Sequence, residues 1–384
     1  MKNVNTVIFL SNFFNHHQKP VSDAFFSKLG NGYYFIETNK MSQERRNMGW
    51  GLNNYPSYVI TCDTFYENQA FYQKLIEQAD VVIIGSAPNF LIRQRLKNKK
   101  LTFRYAERPL KKGLELWKYP YRFLQWRVYG YSNSCVHLLC ASAYTAQDYR
   151  KFGLFKNKAY KWGYFPEAKR YEDVEELIAQ KNAKEILWCG RFLGLKHPDA
   201  AIDVARRLKA DGYSFCLKFI GTGPMDKQLM GLVQKYQLDD CVHFLGSMRP
   251  DQVRMHMEHA GIYLFTSDHY EGWGAVLNES MNSGCAVIAS HAIGAVPYLI
   301  EDGRNGMIYE SGNVEMLTEK VKYLLERPKE QKRLGLEAYR TITEIWNAQT
   351  AAERLIDLAE HILDEERRMV LFESGPCSRA DSKR

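Results

Sequence analysis

The sequence contains no Asp-x-Asp triplet, no Cys-x-x-Cys pair, no low-complexity tract and no internal repeat. Without Asp-x-Asp, nothing in the chain calls for a metal ion to neutralise a phosphate. The cysteine spacing likewise matches no metal-binding pattern. No apolar run approaches the ~18 residues of a membrane-crossing helix. The opening stretch MKNVNTVIFLSNFF is apolar only briefly and has no small-residue cleavage site. It reads as a first strand and not as a signal peptide. The eight cysteines sit mostly in apolar runs such as SCVHLLCAS and EILWCG. That placement suits buried, reduced thiols in a cytoplasmic protein.

What is present suits a soluble globular chain: 45% apolar and 25% charged residues over 384 positions, enough for two ordinary domains. The net charge of +8 is concentrated. Between Arg93 and Arg127 twelve Lys and Arg stand against Glu107 and Glu115, interleaved with Trp117, Tyr119, Tyr121, Phe123 and Trp126. Three readings fit this segment: an anionic membrane surface, nucleic acid with stacked bases, or a solvated face over an aromatic core. No nucleic-acid-binding signature accompanies it.

Short apolar runs alternate with helix-length stretches throughout. Residues 6–10, 33–38, 58–61, 80–85, 101–106 and 136–142 form one series of expected strands. Residues 185–190, 215–221, 242–246, 261–267 and 285–290 form a second. Helices are expected at 65–78, 113–127 and from His197 onward. Near-continuous apolar strands alternating with helices predict parallel sheets covered on both faces. The charged stretch 167–185 separates two doubly wound domains.

Ligands of such domains bind at the carboxyl ends of the strands, so residues just after strands carry the functional interest. Arg191 and Lys196 follow EILWCG and could clamp a diphosphate, or serve only as surface cations. Gly221 and Gly223 follow FCLKFIG, either to admit a ligand to the backbone or simply to turn the chain. Met248 follows VHFLG. The stretch HYEGWGAVLNES then places Glu271 and Glu279 around Gly272, Trp273 and Gly274. A helix beginning near Trp273 would turn its first amides toward an anion. Eight residues at ~1.5 Å each would separate the carboxylates by roughly 12 Å if the stretch were helical. A close acid/base dyad needs ~5 Å, so this spacing instead suits hydroxyls at two ends of one extended ligand.

This ordered series resembles family 4 of the glycosyltransferases, which are retaining enzymes of the GT-B architecture. The likeness runs from WCGRFLGLKHPD through KFIGTGP, VHFLGSM and the Glu-x7-Glu box to MNSGCAVIAS and NGMIYE. It implies an α/β fold of two Rossmann-like domains facing a central cleft, with a C-terminal helix crossing back to the first domain. It further implies that Arg191 and Lys196 bind the donor diphosphate and that the Met248 backbone contacts the base. Glu271 would address the transferred sugar and Glu279 the ribose.

The first domain departs from the family pattern. Asn15, His16, His17 and Gln18 stand where a glycine pair is usual, and Glu107-Arg108 stands where many members carry a catalytic-loop histidine. Together with YAERPLKKG this resembles a subgroup making capsular or other surface polysaccharides. His16 and His17 could bind acceptor or donor phosphate, or merely cap the next helix, and Glu107 could contact a sugar hydroxyl, with Arg108 beside it on the acceptor side of the cleft. Tyr298 occupies a place where the family often has Glu.

The expected organisation is therefore an acceptor-side domain at 1–166, a nucleotide-sugar domain at 167–345, a returning helix at 346–368 and a disordered tail at 369–384. The expected partners are a nucleotide sugar, a lipid-linked or oligosaccharide acceptor, and an anionic membrane contacted peripherally through 93–127 on the inner face of the cytoplasmic membrane. No cofactor, metal or nucleic acid is called for. Two rivals remain at this level: a GT-B epimerase or hydrolase of sugar nucleotides, and a non-catalytic sugar-nucleotide-binding protein.

Overall fold

The computed structural model describes residues 3–43, 51–52, 54–364 and 371–380. The chain divides into two units, Met1–Glu167 with Trp346–Arg384, and Ala168–Ile345.

Unit 1 is built on a seven-stranded parallel sheet. Its strands are β1 (Val7–Ser11), β2 (Tyr33–Glu37), β3 (Val59–Ile60), β4 (Val81–Ile84), β5 (Thr102–Ala106), β6 (Val136–Cys140) and β7 (Ala159–Lys161). Their order is β3-β2-β1-β4-β5-β6-β7. Val7 pairs with Tyr33 on one side and Val81 on the other, so β1 and β4 flank the point where the strand order reverses. β1, β4 and β6 are buried along their whole length, as strands covered on both faces must be. The expected helix at 65–78 forms as two, Cys62–Glu67 and Gln69–Gln78, broken at Asn68.

The C-terminal helix Ala348–Leu363 belongs to this unit and packs on the helix Lys19–Leu29. Lys28 and Glu353 form an ion pair of 2.8 Å, and the Val4 N–H donates to Glu360 Oε1 at 3.0 Å. The return of the chain to the first domain, expected from the family resemblance, is therefore present.

The expectation of disorder after 368 needs correction over 371–380. Cys377 is 2% exposed, its N–H donates to the Lys161 carbonyl at 2.8 Å, and Arg379 bridges to Tyr160 at the free edge of β7. An open sheet edge offers backbone partners to any segment that can reach it, and local polarity in the sequence does not report this. Residues 369–370 and 381–384 lie outside the described residues.

Unit 2 contains six parallel strands: β8 (Asn182–Cys189), β9 (Cys216–Ile220), β10 (Val242–Phe244), β11 (Ala260–Phe265), β12 (Ala286–Ser290) and β13 (Met307–Tyr309). Their order is β10-β9-β8-β11-β12-β13. The helix Pro198–Ala210 buries Ala201, Val204, Ala205 and Leu208, the face expected from their spacing, in the core beside Trp188 and Phe219. All eight cysteines are free thiols. No described helix is long and apolar enough to cross a membrane.

Candidate functional site

The strand order of unit 2 determines which strand ends adjoin. The chain runs from β8 outward to β9 and β10, then returns to the opposite side of β8 as β11. The order thus reverses between β8 and β11, the position at which open α/β sheets bind ligands. Arg191 and Lys196 follow β8, Gly221 and Gly223 follow β9, Met248 follows β10, and Glu271 follows β11. These four strands are consecutive neighbours in the sheet, so residues scattered over eighty positions share one edge.

Lys196 and Glu271 meet directly there. Lys196 Nζ donates to Glu271 Oε2 at 2.6 Å, with the two side chains 18% and 15% exposed. Ser267 Oγ donates to the same oxygen at 3.1 Å. A second pair, missed by the sequence reading, lies beside the first: His197 Nε2 and Asp268 Oδ2 stand 3.0 Å apart. Thr266 fastens the two loops together. Its hydroxyl lies 2.7 and 2.9 Å from the Lys196 and His197 carbonyls and accepts from Trp188 Nε1 at 2.9 Å. The available signal was adjacency, since His197 and Asp268 stand one and three residues from the predicted pair.

The glycines act through space. Gly221 has φ +134°, and a Cβ there would fall 2.0 Å from the Gly190 carbonyl oxygen. That closeness joins the loops after β8 and β9, where the Gly190 N–H donates to the Ile220 carbonyl at 3.0 Å. Gly223 similarly abuts the Phe192 backbone. Ser247, beside the half-buried Met248, lies 3.1 Å from the Thr222 hydroxyl. Arg191 is exposed at the rim.

The stretch around Gly272 differs from expectation. The helix begins at Val276 and not near Trp273, and it is seven residues long. Trp273 is only 1% exposed, its ring N–H bonded to Asn278 Oδ1 at 2.9 Å, with the Tyr298 ring 6.2 Å away. Gly274 takes φ +86° with its α-carbon against Phe265, which a helix could not accommodate. The roughly 12 Å separation assumed an unbroken helix, and that premise fails. Among the described residues the N–H groups of Gly274, Ala275 and Val276 meet no acceptor.

Burial raises the Glu279 carboxyl above the usual carboxylate range, partly offset by the Arg254 charge. Its side chain makes no hydrogen bond among the described residues. Burial also pushes the Cys189 thiol at the end of β8 up to about 12, with the Glu279 charge adding to the rise and Lys196 opposing it.

In unit 1, His16 and His17 follow β1 with ring centroids 3.9 Å apart. Burial, aided by His16, lowers the His17 pKa to about 3, so its imidazole is neutral at physiological pH. The turn before the next helix is closed by Asn15, whose Oδ1 accepts from the His17 and Gln18 N–H groups at 2.9 and 3.2 Å. The helix itself starts from Gln18 with no side-chain cap, so capping does not account for the histidines. Glu107 is bound on both oxygens, by Tyr164 Oη at 2.5 Å and Lys111 Nζ at 2.8 Å. Arg108 Nε donates to the buried Asp148 at 3.0 Å, its guanidinium 5.0 Å from the Tyr144 ring centre. Both side chains are therefore committed to structural partners within unit 1. Among the described residues no three His, Cys, Asp or Glu side chains are grouped as metal ligands.

Comparison with known proteins places this geometry. Residues 169–341 match the family described as Glycosyl transferases group 1. The putative colanic acid biosynthesis glycosyltransferase WcaL of Salmonella typhimurium is 28% identical over 138 residues, covering 35% of this chain and 34% of that protein. The amylovoran biosynthesis glycosyltransferase AmsK of Erwinia amylovora is 30% identical over 137 residues, covering 34% and 33%. The matched part thus spans about a third of these relatives. Among solved structures, Alr3699/HepE of Anabaena superposes with a TM-score of 0.68 over 92% of this chain and 99% of that one, at 13% identity. The fold is accordingly that of the GT-B glycosyltransferases, two parallel-sheet Rossmann-like domains. The part that matches the glycosyl transferases group 1 family, residues 169–341, coincides with unit 2 of this chain.

Proposed function

We propose that the chain is a retaining, metal-independent glycosyltransferase that moves a sugar from a nucleotide-sugar donor to a saccharide acceptor, lipid-linked, in surface polysaccharide biosynthesis. The observation that carries this reading is the Lys196–Glu271 pair at the reversal between β8 and β11, flanked by Arg191, Gly221, Gly223 and Met248 on adjoining strand ends.

In this reading Arg191, Lys196 and the unpartnered amides of Gly274, Ala275 and Val276 face the donor diphosphate. Charge grows on that group as the glycosidic bond breaks, and fixed cations and N–H dipoles stabilise the departing anion more than the ground state. Glu271, anchored by Lys196 and Ser267, accepts hydrogen bonds from the sugar hydroxyls. Glu279 accepts from the ribose, and its lack of other partners supports that role. The leaving phosphate takes the acceptor hydroxyl's proton. His16 and His17 contact the acceptor, His17 as a neutral imidazole. Glu107 and Arg108, held by Tyr164, Lys111 and Asp148, shape that side.

The solved Anabaena neighbour holds UDP, which supports a nucleoside-diphosphate donor. The colanic acid and amylovoran relatives support a polysaccharide product. The enzyme would work in the cytoplasm, held peripherally at the inner membrane face through the basic segment 93–127. To test the assignment, sugar transfer from a panel of nucleotide sugars is measured with the intact chain and with Arg191→Ala, Lys196→Ala and Glu271→Ala. Full activity in all three variants sinks it.

A further inference from the structure

The basic segment 93–127 does not present itself to solvent uniformly. Arg95 is fully buried, its guanidinium bonded to the Ile76, Ala79, Asp80 and Leu101 carbonyls and to Thr102 Oγ1. Arg104 lies on β5 beside Tyr131, and Arg108 is spent on Asp148. The surface features concentrate instead on the helix Tyr119–Val128 and the turn before it.

That helix has two apolar faces. Trp126, with Tyr119 and Phe123 partly covered, packs inward on Tyr149 and Phe152. Tyr121, Leu124 and Val128 point outward at 66%, 65% and 73% exposure, and Trp117 just before the helix is 77% exposed. At ~100° per residue the three helical side chains fall within an arc of roughly 60°. Chance scatters exposed apolar residues singly, whereas this is a contiguous stripe. Cations border it on both sides: Arg127 on one, Lys118 and Arg122 on the other, where the two share the single carboxylate of Glu115 at 2.6 and 2.9 Å and leave a net positive charge; Lys112, in the chain before Trp117, is exposed as well. Lys118 Nζ lies over the face of the Trp117 ring, 4.4 Å from its centre, so charge and ring sit together at the surface.

We propose that this stripe, Trp117, Tyr121, Leu124 and Val128, is the surface by which unit 1 seats on an anionic phospholipid bilayer. The inference deepens the membrane contact in the preceding reading and rests on it for the location of the enzyme, while replacing the whole basic segment with one helix face. An interfacial helix needs an apolar stripe to enter the headgroup boundary and flanking cations to meet lipid phosphates. Trp and Tyr suit that boundary because each ring is apolar with a polar edge. A soluble protein partner would not require an excess of positive charge on both sides of the stripe, whereas lipid phosphates complement the exposed Arg127 and the charge that Lys118 and Arg122 keep beyond their shared Glu115.

The test is co-sedimentation of the full chain with phosphatidylcholine vesicles containing phosphatidylglycerol and with pure phosphatidylcholine vesicles. The variants are Trp117→Ala with Leu124→Ser and Val128→Ser, and separately Lys112→Glu with Arg127→Glu. All five side chains are exposed, so a thermal melt should confirm an unchanged fold. The expected result is binding to the phosphatidylglycerol vesicles alone, weakened at least about tenfold in both variants and weakened by added salt. Sugar transfer to a water-soluble acceptor should be unchanged in both. Equal binding to the two vesicle types, undiminished binding in the triple variant, or a concentration-dependent dimer that the triple variant dissolves would each overturn the proposal. Normal transfer without vesicle binding removes this surface and leaves the transferase reading standing. Vesicle binding without transfer in the intact chain does the reverse.

Discussion

Lys196 and Glu271 form a 2.6 Å ion pair between the loops that follow β8 and β11. Seventy-five residues separate them in the chain, and the reversal of strand order brings them together. Each holds the other in a defined position, so a donor would meet a cation and a carboxylate already arranged.

From this pairing, Lys196→Ala should lower kcat/KM by about 10²–10³, the usual loss on removing one charge-stabilising donor. Glu271→Ala should cost a comparable factor. Because each substitution also frees the other side chain, the double variant should lose clearly less than the product of the two factors. Steady-state kinetics with saturating acceptor checks both statements. Multiplicative losses would show that the two side chains act independently.

Glu279 combines burial with the lack of a hydrogen-bond partner, a costly condition for a carboxylate. Glu279→Gln should therefore stabilise the unliganded chain, by about 2–4 °C in melting temperature for each kcal/mol relieved. The same change should weaken donor binding by roughly tenfold, since charge-assisted hydrogen bonds to hydroxyls are lost. Thermal melts with and without nucleotide sugar give both numbers in one experiment. An unchanged ligand-induced shift would remove Glu279 from the donor site.

Gly221→Ala is expected to destabilise the chain more than a surface substitution does. The new methyl would collide with the Gly190 carbonyl oxygen at 2.0 Å and sit at φ +134°. A loss of about 1–3 kcal/mol follows from comparable overpacking, read from urea denaturation. Gly231→Ala, on an open helix surface, serves as the control and should be neutral or slightly stabilising.

The pH dependence of stability should fall on the acid side. His137 lies between Phe103 and Tyr160, and burial depresses its pKa to about 3, with Lys158 and Arg379 adding to the effect. The unfolded chain takes up a proton near pH ~6.5 that the folded one refuses. Stability is thus fully present above that pH and is lost as pH falls toward 3. At pH 5.5 one such histidine costs on the order of 1 kcal/mol. His17 shares the same direction through burial and its neighbour His16. His137→Phe should flatten the drop between pH 7.5 and 5.5 by about that amount, measured from urea midpoints at both pH values.

Much of the scaffold was legible because strands covered on both faces leave apolar runs in sequence. All eleven strands expected from such runs form. The two that were not anticipated, β7 and β13, are three residues each and lie at sheet edges, where burial imposes little pattern. The helix start near Trp273 was misplaced because Gly274, at φ +86°, folds back against Phe265 at the end of β11, a contact that local periodicity does not record. The ordering of 371–380 was invisible for the same kind of reason, since the open edge of β7 supplies its partners.

By itself, then, the sequence determined the alternation of strands and helices, the division near residue 167, and the chemistry available after each strand. Only the tertiary structure decided which of those strand ends adjoin. That choice placed Lys196 on Glu271 and His197 on Asp268, while committing Glu107 and Arg108 to neighbours of their own. The physical reason is that periodicity records which face of an element is buried, and pairing across a sheet is a property of strand order.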